Sequence, residues 1–167
     1  MDEQIERLEH ILRQLPAGKL DWAPDMPASI SPRPQSLGNL LGHLLECLAG
    51  FVAVLYAVHP DQPGRFQDLK QRPVNHFCAE SEALDRIAEY RRYIAQGFER
   101  LQDNELARPL RTIFVPEGEP VLTLLLGNLE HLMNHKHEIF MYAKLLGVPL
   151  STPDLYHFRT PRPQGET

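Results

Sequence analysis

Residues 123–147 read TLLLGNLEHLMNHKHEIFMYAKLLG, and the period of that stretch decides the fold. Leu122, Leu125, Leu129, Leu132, Ile139, Ala143 and Leu146 recur at helical spacing, as one apolar stripe on a long helix. Pro120 suits the first helical position, Gly147 suits the residue just past the last turn, and Pro149 prevents continuation. His131 and His135 stand four positions apart on the same helix, on one face and about 6 Å apart along its axis. Two imidazoles at that spacing are what a divalent transition metal takes from a single helix, and a third ligand must come from elsewhere. His137 points about 200° round from His135 and is a poor candidate.

Upstream, Ser36 reads as the N-cap of a helix running to about His59-Pro60, with a broad apolar face from Leu37 to Val58. His43 lies on the edge of that face, in the row Leu40, His43, Cys47 and Gly50. Taken alone it reads as a satisfied core histidine or a weak ligand candidate. If its face meets that of His131 and His135, three imidazoles converge in an open site suited to Zn²⁺ and tolerable to Ni²⁺, Fe²⁺ or Mn²⁺. The bland alternative leaves His131, His135 and His137 as a wet, polar edge.

Two further helical patterns complete the set. Ile5, Leu8, Ile11, Leu12 and Leu15 mark a first helix, stopped by Pro16-Ala17-Gly18; His10 on it is assigned no function. Leu84, Ile87, Ala88, the stem of Arg91, Ile94, Phe98 and Leu101 give the core face of a helix over 79–102, its charges a solvated face. The connections are long. Residues 19–35 carry Pro24, Pro27, Pro32 and Pro34, with Trp22 as an anchor to the core. Residues 61–78 end in His76 and Phe77, which read as a staple for the next helix rather than as ligands, and RTIFVP in the third connection reads as briefly extended. The pattern predicts an all-α fold: an antiparallel-type four-helix bundle with long crossover loops, its helices near 2–15, 36–59, 79–102 and 120–146. The bundle occupies 1–150, and 151–167 is an irregular, Pro-containing tail.

The chain's 167 residues suit one domain. A net charge of −5 and the lack of any Lys/Arg run argue against a nucleic-acid role. The start, MDEQIERLEH, is no apolar signal segment, and the Leu-rich stretch is interrupted by His, Glu and Lys; the expectation is a cytoplasmic protein with no membrane span. Cys47 and Cys78 form no CxxC and are expected as reduced thiols. Cys47 has no basic neighbour and reads as inert rather than as a nucleophile.

Two stretches carry a family resemblance. DWAPDMPASISPRPQSLGNLLGHLLECLAGF, residues 21–51, is similar to a Trp/Pro loop leading into a helix with a His-Leu pair. LEHLMNHKHEIFMYAKLLGVPL, residues 129–150, is similar to a terminal helix of the form H-x-x-x-H followed by a Lys or Arg and a Gly. Together they resemble the DinB/YfiT superfamily of bacterial four-helix metalloenzymes, over most of residues 1–150. The resemblance implies a metal triad of His43, His131 and His135, a divalent ion (Zn²⁺ or Ni²⁺ foremost) and a homodimer. It also implies a thiol-dependent S-transferase or a related hydrolase or isomerase, acting on a small molecule with a low-molecular-weight bacterial thiol. The competing expectation is a non-catalytic, dimeric bundle that binds a metal or small ligand. Asn134 and Glu138 depart from the family, which often has His and Gln there. Glu138 is a candidate general base, fourth ligand or hydrogen-bonded support for His135, or a plain surface carboxylate.

Overall fold

The computed structural model describes residues 1–27, 35–59, 72–112 and 115–156. Among them run four long helices: α1 (Asp2–Leu12), α2 (Leu37–Val58), α3 (Glu80–Arg100) and α4 (Val121–Leu145). A single helical turn, α5 (Thr152–Leu155), follows, and a two-residue antiparallel ladder pairs β1 (Pro109–Leu110) with β2 (Glu119–Pro120). The fold is therefore all-α, with the ladder only closing the last connection. Of RTIFVP, Ile113 and Phe114 lie outside the described residues.

The helix ends follow local chemistry. Ser36 caps α2 by accepting a hydrogen bond from Asn39 N, one of the four amides the first turn leaves unpaired. Gly147 follows α4 at φ +86°, the left-handed region that ends helices. Pro120 is the N-cap of α4 rather than its first residue.

α2 is the central helix, packed against both α3 and α4, and most of its residues are buried. By length and apolar composition alone it could cross a membrane; its burial between two partners explains that composition. α1 lies across the bundle against α3 and α4, with Ile5, Leu8, Ile11 and Leu12 fully buried.

Not every neighbour is antiparallel. His43 meets His135 and Gly50 meets Asn128, so α2 and α4 run in opposite directions. Cys78 N bonds Gly38 O near the start of α2, while Gly97 touches Leu55 near its end, so α2 and α3 run parallel. The long connection between them returns the chain to its starting end, which a short turn could not do.

The core face of α3 is also rotated from the sequence reading. Ile87 and Ile94 are buried as expected, but Ala88 and Phe98 are exposed while Tyr90 and Tyr93 turn inward. Arg86 goes in with them at 5 % exposure, donating to Pro73 O and to the hydroxyl of Tyr90. Buried tyrosines bring polar tips that need partners, and Arg86 supplies one. Arg91 lies at the rim and pairs with Asp2 and Glu6 of α1.

Lys136 is a second buried cation, 2 % exposed on the core side of α4. Its ammonium donates to Gln4 Oε1 (2.6 Å) and Leu155 O (3.0 Å), joining α1, α4 and α5. Burial lowers its pKa. The start of the tail thus docks on the bundle: Leu155 is buried, and His10 reaches Asp154 at 2.8 Å. That bond holds the Asp154 carboxyl down at about 2.

Candidate metal centre

His43 from α2 and His131 and His135 from α4 come together. One donor nitrogen of each lies within 4.8 Å of the others, and the ring centroids are 4.5–5.4 Å apart. The approach of the two helices depends on a small residue: a side chain at Gly50 would overlap the Asn128 carboxamide one turn from the cluster.

Each of the two facing imidazoles is held from behind. His135 Nδ1–H donates to Glu138 Oε2 at 3.0 Å, three residues on along α4. His43 Nδ1 lies 3.2 Å from Glu46 Oε2, again three residues on, and is also hydrogen-bonded to Asn75 Oδ1. With Nδ1 occupied as donor, the remaining lone pair on each ring is on Nε2, the atom left to meet a metal. The same device, a histidine with a carboxylate one turn away, therefore appears once on each helix: His43-Leu44-Leu45-Glu46 and His135-Lys136-His137-Glu138.

The electrostatics suit a cation. Burial, then the neighbouring His135 and His43, pushes the pKa of His131 down, which favours the neutral ligand form. Glu46 and Glu138 bring two negative charges to a set of three neutral ligands, enough to balance a divalent ion. All three histidines are partly exposed, so the centre is reachable from solvent. The donor set fits a metal with an open position, three imidazoles being a catalytic rather than a closed structural arrangement.

The side chains around it were less visible in the sequence. Glu46 gave no signal of its own, being one acidic residue on a long apolar helix. Asn75 lies 32 residues from His43 and adopts φ +56°, a left-handed conformation that asparagine tolerates. Glu138 occupies the supporting position among the roles open to it. Trp22 is an anchor: its ring meets Tyr142 edge-on at 5.4 Å, and Tyr142 donates to Gln35 O. Tyr142 is one turn beyond Glu138, so the Pro-rich connection is tied to the side of α4 that carries the site. Residues 28–34 of that connection lie outside the described residues.

Cys47, one turn from His43, is buried, and burial pushes its thiol up to about 12. That is the state of an inert core thiol. Both cysteines are free. His137 is exposed and apart from the cluster. A separate apolar cavity of about 400 Å³ opens between α2, the end of α3 and the first turns of α4, lined by Phe51, Phe98, Leu122 and Leu126 among others. It lies on the other side of α4 from the histidines.

A sequence profile of the DinB superfamily matches residues 1–139 of this chain. Among solved structures, a DinB-like protein of Bacillus subtilis, YjoA, is similar at a TM-score of 0.63 with 18 % identity, over 89 % of this chain and 92 % of that one. No curated protein sequence matches the chain.

Proposed function

This chain belongs to the DinB superfamily, and on that premise we propose that it is a metal-dependent enzyme centred on His43, His131 and His135. The observation that carries the reading is the convergence of three imidazoles from two helices, two of them backed by carboxylates. Zn²⁺ or Ni²⁺ suits the set best, and Fe²⁺ or Mn²⁺ is tolerated. When bound, such an ion supplies Lewis acidity, lowering the pKa of a thiol that reaches its open position.

The reaction we propose is S-transfer from a low-molecular-weight thiol to a small electrophile. The chain's own residues have three tasks in it. Glu46, Asn75 and Glu138 fix the imidazole planes, so the ligands need not reorganise. Glu138 is 41 % exposed at its side chain and uses Oε2 for His135, leaving Oε1 to accept the thiol proton. Trp22, packed edge-on against Tyr142 on the face of α4 that carries the site, offers apolar surface to the electrophile. Activity of metal-loaded protein that requires added thiol and is lost with chelator supports this reading. No turnover with any common bacterial thiol, on a metal-replete sample, refutes it.

A second reading, a non-catalytic dimeric binding bundle, has one observation in its favour. Leu122, Leu126, Met133, Met141 and Leu145 leave an exposed apolar row along α4. A second copy of the chain could cover it, and the enzyme reading accommodates the same homodimer.

A further inference from the structure

The segment Asn75–Cys78 crosses the first turns of α2 at very close range, and two glycines allow it. A side chain at Gly42 would overlap the His76 carbonyl, and one at Gly38 would run into the ring of Phe77. The segment is stitched down by Asn75 N to Gly42 O and Cys78 N to Gly38 O. Gly38 and Gly42, four apart on one helix face, thus form a flat seat. Asn75, at one end of the seated segment, supports His43. The two residues that follow Asn75 at a spacing of one and three point to a different cluster.

There His76, Cys78 and Glu82 of α3 each present a donor atom, all within 4.8 Å of one another. His76 Nε2 is 2.9 Å from Glu82 Oε1. Cys78 is fully buried, and its thiol is held protonated, pushed up to about 12 by burial and by Glu82. The other nitrogen of His76, Nδ1, is buried with no hydrogen-bond partner among the described residues. An imidazole placed for hydrogen bonding alone would use both nitrogens. Arg86 Nη1 stands 3.6 Å from the Glu82 carboxylate.

We propose that His76, Cys78 and Glu82 form a second metal site, for a thiophilic divalent ion of the Zn²⁺ class, which clips the end of the α2–α3 connection, seated on α2, to the first turn of α3. Imidazole, thiolate and carboxylate are each ordinary ligands of that ion, and ligand atoms a few ångströms apart can close around it with small side-chain movements. Binding replaces the S–H bond of Cys78 with a metal–sulfur bond and releases the proton to solvent. The guanidinium of Arg86 works against hard cations held by charge alone. It favours an ion whose bond to sulfur offsets the repulsion. Because Asn75 and His76 are adjacent, filling this site also stiffens the support of His43.

Cobalt separates the two centres, since only a site with a sulfur ligand gives sulfur-to-cobalt charge-transfer absorption in the near ultraviolet. Tag-free protein stripped of metal is titrated with Co²⁺, then with Zn²⁺. The expected result is two equivalents per chain and a thiolate band. The band is absent and the count falls to one in Cys78→Ser, both are unchanged in Cys47→Ser, and His131→Ala keeps the band with one equivalent. Should Cys78→Ser fail to fold, Glu82→Gln, whose side chain is partly exposed, must weaken the band-forming event at least tenfold while sparing the other. No thiolate band in the unmodified protein, or a band that survives Cys78→Ser, overturns the proposal; a single equivalent that carries the band instead counts against the triad.

Discussion

Glu46 and Glu138 do the same work on different helices, but they are not equally needed. His43 has Asn75 as a second acceptor on Nδ1, whereas His135 has Glu138. Glu138→Ala is therefore expected to weaken Zn²⁺ binding by about 10–100-fold. Glu46→Ala should cost clearly less, both read by competition with a chromophoric chelator. Equal, negligible effects would reduce both carboxylates to surface charges. Glu138→Gln separates positioning from chemistry. Its carbonyl still accepts from His135, so metal content should stay full, but it cannot take a proton, so thiol-dependent turnover at neutral pH should slow. The histidines themselves were legible in sequence, since i,i+4 spacing and two quoted stretches single them out. Glu46, Asn75, Arg86 and Lys136 were not. A charged residue on an amphipathic helix looks the same whether it is buried against a partner or solvated, and Asn75 reaches His43 only through the folded chain.

At the level of elements, close packing rests on particular glycines. Gly42→Ala forces α2 away from the His76 carbonyl and is expected to destabilise by about 3 kcal/mol, which lowers Tm by roughly 6–12 °C for a chain of this size. Gly127, on an exposed part of α4 with open space around it, provides the contrast. Gly127→Ala should stabilise by up to about 1 kcal/mol through helix propensity alone. Similar thermal scans for the two variants would contradict the packing described. The α5 turn makes a pH-dependent contribution. The folded Asp154 carboxyl titrates at about 2 against an ordinary 3.8, so its pairing with His10 is fully present above about pH 4 and is lost as pH falls towards 2. The protection of the Asp154 and Leu155 amides, measured against the intrinsic exchange rate at each pH, should fall over that window, ahead of the helices. The existence and approximate ends of all four helices were readable from period, caps and prolines. The rotation of α3 was not, because Tyr90 and Tyr93 compete with Ala88 and Phe98 for the core on nearly the same spacing.

For the whole molecule, the sequence pattern predicts an antiparallel-type bundle, but long connections do not fix helix direction, and the contacts between Gly97 and Leu55 and between Cys78 and Gly38 show α2 and α3 to be parallel. The antiparallel pair α2 and α4 is the one that creates the centre, since it sets His43 opposite His135. The exposed row on α4 predicts a homodimer at micromolar concentration by sedimentation. A Leu126→Glu, Met133→Glu variant should be a folded monomer, and a monomeric parent protein would refute the assembly. Everything proposed about activity depends on the triad holding an ion. The direct measurement is metal occupancy of the triad by elemental analysis of tag-free protein, with Cys78→Ser as the background so that only the triad is counted. One divalent ion per chain is expected there, falling steeply on adding His43→Ala, His131→Ala or His135→Ala. No metal in that background after loading, or full occupancy in any of the three histidine variants, would contradict it.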